Sequence, residues 1–69
     1  MTYIPGDEIE VVIARDGLAD DAGIGYLPDE TMVVIVGGAG RVGESVHATI
    51  VGMERTPLGA SLVANAEQL

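Results

Sequence analysis

From Asp7 the chain reads DEIEVVIARD, with Ile9, Val11 and Ile13 at every second position and Glu8 and Glu10 between them. Side chains along a strand point alternately to its two faces, so this pattern predicts a strand with one face on a core and one in water. Pro5-Gly6 opens it as a turn and Arg15-Asp16-Gly17 closes it. Residues 17–22, GLADDA, are small, carry adjacent aspartates and keep no period, which predicts a loop. GIGYL then reads as a second strand whose alternating glycines leave one face bare, permitting a bend or a close approach of another backbone. Pro28-Asp29 fits the centre of a type I turn, with Glu30 and Thr31 opening the next strand.

The run TMVVIV is six residues long, rich in β-branched types and bounded by turns, which predicts a strand in the middle of the sheet rather than a buried helix. GGAG ends it with positions free to take positive φ, and RVGESV is a short connector. SVHATIVGME, residues 45–54, sets Val46, Ala48 and Ile50 on one face and His47, Thr49, Val51 and Met53 on the other, with Gly52 marking a bulge or corner. RTPLG turns the chain, ASLVANA supplies a last strand with Leu62 and Ala64 inward, and the tail NAEQL is expected to fray. Five short strands at regular spacing with no convincing helix predict an all-β fold, a small five-stranded antiparallel β-barrel. Residues 1–69 read as one domain with its core at about 5–64. Closure also accounts for the glycines, because barrel corners are made with bulges and glycine kinks.

Composition narrows what such a barrel can do. A 69-residue domain buries only about 60% of the surface its unfolded chain exposes, so its stability should be a few kcal/mol. The chain has no cysteine, which excludes disulfides, thiolate metal sites and a cysteine nucleophile. His47 is the single histidine and cannot build a zinc site by itself. Asp20-Asp21 and Asp29-Glu30 read as solvated loop acids, so no metal site is expected. No apolar run approaches the roughly 18 residues of a spanning helix, and the N-terminus lacks the regions of a signal peptide. A cytoplasmic protein with no membrane contact is the expectation.

Eleven carboxylates face three arginines and no lysine, for a formal charge of -8. Electrostatics alone would repel nucleic acid and anionic membranes. Nothing pairs a nucleophile with a base, and GGAG lacks the Lys-Ser/Thr of a phosphate loop and opens no helix. The expectation is a protein that is not an enzyme, with no catalytic residue and no cofactor.

PGDEIEVVI, then GIGYLPDETMVVIVGGAGRVGESVHATIV, then RTPLGASLVANA together resemble a TRAM domain, closest to the TRAM module of bacterial PIN/TRAM domain proteins. The resemblance runs from Pro5 to about Ala64, with Gly23, Gly25, Tyr26, Leu27, Met32, Val33, Val34, Gly37, Gly38 and Gly43 in register. It implies an OB-like barrel that binds RNA, often as accessory to a PIN-type nuclease whose catalytic acids lie on another domain. Such barrels hold single strands with basic groups and stacking side chains, which here makes Arg15, Tyr26, Arg41 and Arg55 the candidate nucleic-acid contacts. Tyr26 either stacks a base or packs its ring with the hydroxyl at the rim. Arg41 either joins the N–H groups of the glycine-rich turn around a phosphate or offsets Glu44.

Three phosphate contacts would give a single-strand salt slope of only about -2, so RNA binding by the isolated domain should be weak. The competing reading is an acidic interaction or docking module for a PIN nuclease domain or another protein, with no nucleic-acid binding of its own. A third is oligomerisation through an exposed barrel edge. Arginines gathered on one face would favour RNA, and arginines dispersed among carboxylates would favour docking.

Overall fold

The computed structural model describes residues 3–56 and 59–67. Its strands are β1 (Glu8–Asp16), β2 (Ala22–Tyr26), β3 (Met32–Val36), β4 (Ser45–Thr56) and β5 (Gly59–Ala66). They close on themselves in the order β1-β2-β3-β5-β4, with β4 returning to β1. The expected five strands are present, but the sheet is mixed rather than purely antiparallel. β3 and β5 run parallel, with Val33 beside Leu62 and Ile35 beside Ala64, while the other four pairings are antiparallel. The reason is one of parity: a closed ring with an odd number of strands cannot alternate direction all the way round. Closure also leaves no free edge among the described strands, which removes the basis for pairing through one.

The predicted alternation of β1 is observed, with Ile9, Val11 and Ile13 buried and Glu8, Glu10 and Val12 exposed. β3 alternates as well: Val33 and Ile35 are fully buried, whereas Val36 is exposed. Its apolar run therefore does not reflect burial on both faces. Val46, Ala48 and Ile50 of β4 and Leu62 and Ala64 of β5 point to the same interior, as their period predicts. Burying each Ile, Val or Leu in such a core stabilises the fold by roughly 1.5–3 kcal/mol.

Gly25 answers for the bare face of β2. A Cβ there would lie 2.6 Å from Val11 Cγ2 and 2.7 Å from the Val12 carbonyl oxygen, so β1 crosses it too closely for any side chain. Element ends differ modestly from the sequence reading. Ala22, expected in a loop, is the buried first residue of β2. β4 runs on to Thr56, into the expected RTPLG turn, whose Pro57 and Leu58 lie outside the described residues. β5 extends to Ala66, and the Glu67 N–H donates to the His47 carbonyl at 2.8 Å. The tail is thus tied down through Glu67, and Gln68 and Leu69 lie outside the described residues. Between β2 and β3, the Glu30 N–H donates to the Leu27 carbonyl at 2.8 Å, closing the turn around Pro28-Asp29.

Candidate nucleic-acid interface

Two bulges decide which side chains meet on the outer surface. In the β1–β2 ladder, Ile13 pairs with Gly25 but Arg15 pairs with Ile24, so Ala14 is an extra residue. Without it Arg15 would share the inward face of Ile13, where a guanidinium could not be solvated. The inserted residue shifts the parity and places Arg15 outside, opposite Ile24. Tyr26, two residues along β2, is then its diagonal neighbour on the same face, within reach of long side chains. The Arg15 guanidinium donates through Nη1 to the Tyr26 hydroxyl, and its central carbon lies 5.5 Å from the ring centroid.

The second bulge is the one expected at Gly52. Ile50 pairs with Ala64 and Gly52 with Val63, leaving Val51 as the extra residue. Met53 consequently lies opposite Leu62, on the face that continues toward the core. Simple alternation had placed Met53 with His47 and Thr49, and the bulge reverses it. Met53 is nonetheless 65% exposed, because it sits at the rim and covers a groove instead of filling the interior.

That groove, of ≈560 Å³, runs between the β2–β3 turn and the β4–β5 hairpin. Arg15 and Tyr26 form one wall, Met32, Met53 and Leu62 supply apolar surface, and Glu30 and Thr31 lie at the turn end. Arg15 is the one cation in the lining, and its contact is with a neutral phenol. The groove's wall also includes Ser61, 1% exposed, whose hydroxyl finds no hydrogen-bond partner among the described residues. Asp29 lies in the exposed turn with its carboxylate accepting the Thr31 N–H at 3.1 Å. Hydrogen bonds from the Thr31 side chain and then its backbone hold the Asp29 carboxyl below its ordinary value.

Arg41 lies elsewhere. It lines a second groove, of ≈350 Å³, with Glu10, Ser45, Val46, His47 and Glu67, and its Nε contacts Glu44 Oε1 at 3.3 Å. The glycine-rich turn does not offer it a ready anion cradle. The Gly37 and Ala39 N–H groups donate to the Asp21 carbonyl, and the Gly43 N–H to the Ile13 carbonyl. The Gly40 N–H donates at 3.1 Å to a carboxylate oxygen of Asp16, so an anion of the chain itself occupies that donor. Arg55 is exposed on β4 opposite Ala60, a residue that lines the first groove, and it shares the strand face of Met53. Of the four predicted contacts, Arg15 and Tyr26 are brought together, Arg55 lies on the β4–β5 hairpin opposite Ala60, and Arg41 is on another wall.

The family model of the TRAM domain matches residues 4–63. This chain belongs to the TRAM domain family. Among curated proteins, this TRAM domain is 36% identical over 62 residues to a PIN and TRAM-domain containing protein of Synechocystis, which covers 90% of this chain and 17% of that protein. It is 29% identical over 66 residues to a PIN and TRAM-domain containing protein of Bacillus subtilis, covering 96% of this chain and 18% of the relative. A Thermus thermophilus protein named for its place in the scsB 5′ region is 30% identical over 63 residues, with 91% of this chain and 68% of the relative covered. The TRAM domain thus spans less than a fifth of the PIN and TRAM-domain relatives it matches. No solved structure matches it.

Sequence reasoning found the two residues of the Arg15–Tyr26 pair but not their pairing. The signal was there only in part: a strand of alternating character that ends on Ala-Arg-Asp gives no count of residues across a bulge. Met53 was missed as a groove residue for the same reason, since its face depends on the extra residue at Val51.

Proposed function

We propose that this TRAM domain is an RNA-binding module that holds single-stranded or unpaired RNA in the groove walled by Arg15 and Tyr26. The observation that carries the reading is the Arg15–Tyr26 pair itself. A guanidinium is held beside an exposed aromatic ring, over apolar methionine and leucine surface, with no carboxylate pairing it among the described residues. A base can stack on the ring while the guanidinium meets the neighbouring phosphate, the combination that single-strand binders use. OB-type barrels bind oligonucleotides on the face of strands 2 and 3 and the loops after strands 1 and 4, and this groove takes in part of that region, Tyr26 of β2, Met32 of β3 and the β4–β5 hairpin. The family context adds that such domains occur alongside PIN domains. We infer an accessory role in which this module helps to hold RNA for a nuclease domain, in the cytoplasm.

The test is fluorescence anisotropy of a labelled single-stranded RNA titrated with the chain at several salt concentrations. Tyr26→Ala should weaken binding by about 1–3 kcal/mol, the value of one base stacked on an aromatic ring. Arg15→Ala should make the salt slope shallower by about 0.7, one phosphate contact. Arg41→Ala should leave affinity unchanged, because Glu44 already pairs it. Absence of binding at low salt would defeat the reading.

A docking function without RNA is the second reading, and one observation favours it: the three arginines do not gather on one face, and Arg41 lies among carboxylates. An isolated PIN-type nuclease domain that binds the chain with unchanged affinity in Tyr26→Ala and Arg15→Ala, in the absence of RNA binding, would establish it.

A further inference from the structure

The Arg15–Tyr26 groove holds a polar group that the fold itself does not use. Leu62 faces the core, so alternation along β5 turns its neighbour Ser61 to the outer side. Tyr26 pairs with Met32 and Val33 with Leu62, so one step back along that parallel ladder Met32 lies beside Ser61. Tyr26, Met32 and Ser61 therefore form a row across β2, β3 and β5, and Arg15 stands beyond Tyr26 on β1. All four line the same groove.

Ser61 is only 1% exposed although it faces outward, because it is a short side chain set among longer ones. Its hydroxyl has no hydrogen-bond partner among the described residues, and Glu54, directly opposite on β4, is exposed and leaves it unpaired. A hydroxyl carries one donor and two lone pairs, and burying it without a partner is costly. Alanine would fill the position without that cost. Packing alone thus gives no reason for a hydroxyl here, whereas a polar ligand in the groove does.

The order of groups along the row selects the part of the ligand that reaches Ser61. In a nucleotide the base lies between the backbone and its own Watson–Crick edge. With the phosphate at Arg15 and the base on the Tyr26 ring, that edge points across β3 toward β5, while the ribose stays on the Arg15 side. Two strand spacings, about 10 Å, separate β2 from β5, which leaves room for a base and one hydrogen bond. Met32 and Met53 line the same groove, and their unbranched side chains repack readily, so they can give way where the edge meets the hydroxyl.

We propose that Ser61 is the base-reading residue of this groove, its hydroxyl bonding the Watson–Crick edge of the unpaired base stacked on Tyr26. The inference rests on the RNA-binding reading above and adds to it the contact that carries base identity. Phosphate contacts and stacking are tolerant of sequence, whereas a hydrogen bond to a base edge is not. A contact on that edge also confines the site to bases that have no pairing partner.

The experiment compares the 69-residue chain with Ser61→Ala by fluorescence anisotropy at low salt. The probes are labelled oligomers of adenosine, cytidine and uridine, their deoxyribose counterparts, and an abasic ribose strand. Ser61→Ala should bind the preferred base about five- to tenfold more weakly, the worth of one hydrogen bond, and should discriminate less among the three. The loss should be equal on the deoxyribose strand and absent on the abasic one, and the variant should melt no lower than the unmodified chain. Unchanged affinity in Ser61→Ala would overturn the assignment. So would a loss confined to ribose strands, which would place the contact on the 2′-hydroxyl, or a lower melting temperature, which would mean that the hydroxyl is already bonded in the free domain. RNA binding that Tyr26→Ala weakens and Ser61→Ala does not would defeat this inference alone, whereas a chain that binds none of the strands would defeat the RNA reading beneath it.

Discussion

The two grooves of this domain treat positive charge in opposite ways. In the first, the Arg15 guanidinium rests against a phenol and a ring face, neutral groups that orient it without cancelling its charge. In the second, Arg41 is paired with Glu44, and His47 has a carboxylate beside each ring nitrogen. Both lie on a chain with a formal charge of -8, so net charge alone would have dismissed an anion-binding role for either. The difference shows that a small acidic domain can hold one cation against neutral partners that leave its charge uncancelled.

Both walls depend on the ring, and the largest expected effect comes from breaking the side of it that belongs to the first groove. Gly25→Ala places a methyl against Val11 Cγ2 and the Val12 carbonyl oxygen. The backbone of β1 cannot move aside as a flexible side chain could, so overpacking should cost about 1–3 kcal/mol. In a domain of this size each kcal/mol lowers the melting temperature by about 4–8 °C. Gly25 immediately precedes Tyr26, so the same substitution should separate Tyr26 from Arg15 and weaken RNA binding. On the other wall, His47→Ala removes an exposed side chain and should stay within about ±0.5 kcal/mol. Thermal melts of the two variants check the asymmetry, and equal losses would mean that the two walls share strain the structure does not display.

A smaller effect sharpens the electrostatic half of the comparison. Glu30 has φ 70, a left-handed conformation that suits Asn far better than Glu, and it lines the first groove. Glu30→Asn should stabilise the domain by about 1 kcal/mol or less. It also removes a carboxylate from the groove that Arg15 lines, so RNA affinity at low salt should rise. A variant that melts higher but binds RNA no better would show that Glu30 does not oppose the phosphate, and the groove's selectivity would then rest on stacking.

Much of the ring was legible in the sequence because a period of two and short turn signals are local properties. Ile9, Val11 and Ile13 announce their face by spacing, and the bulge at Gly52 was marked by the glycine. The parallel pairing of β3 with β5 was not legible, since strand direction follows from closure of the whole ring and leaves no mark on either strand. At the site, Arg15 and Tyr26 were legible one by one as the residue types that bind single strands. Their contact was not, because it depends on one extra residue at Ala14, and the parity of a ladder cannot be counted without its partner. Arg41 shows the converse: its place after the glycine pair looked favourable, yet Asp16, remote in sequence, takes the Gly40 N–H.

The smallest expected effect is confined to the turn that borders the first groove. Asp29 accepts the Thr31 N–H, and its carboxyl titrates below the ordinary 3.8 because hydrogen bonds from Thr31 favour the ionised form. A folded-state value below the unfolded one means that the ionised carboxylate binds the folded turn, so its stabilisation is complete above the unfolded value. It is lost as pH falls through the lower, folded one. Asp29→Asn should therefore flatten stability against pH in the acid range below 3.8 while leaving it nearly unchanged at neutral pH, where an amide oxygen still accepts from Thr31. The group is fully exposed, so water screens the effect and it should be small. Carbon-detected NMR of the Asp29 carboxyl gives its midpoint directly. A midpoint at or above 3.8 would mean that the Thr31 bonds do not persist in solution, and the turn would then be free to carry Glu30 away from the groove.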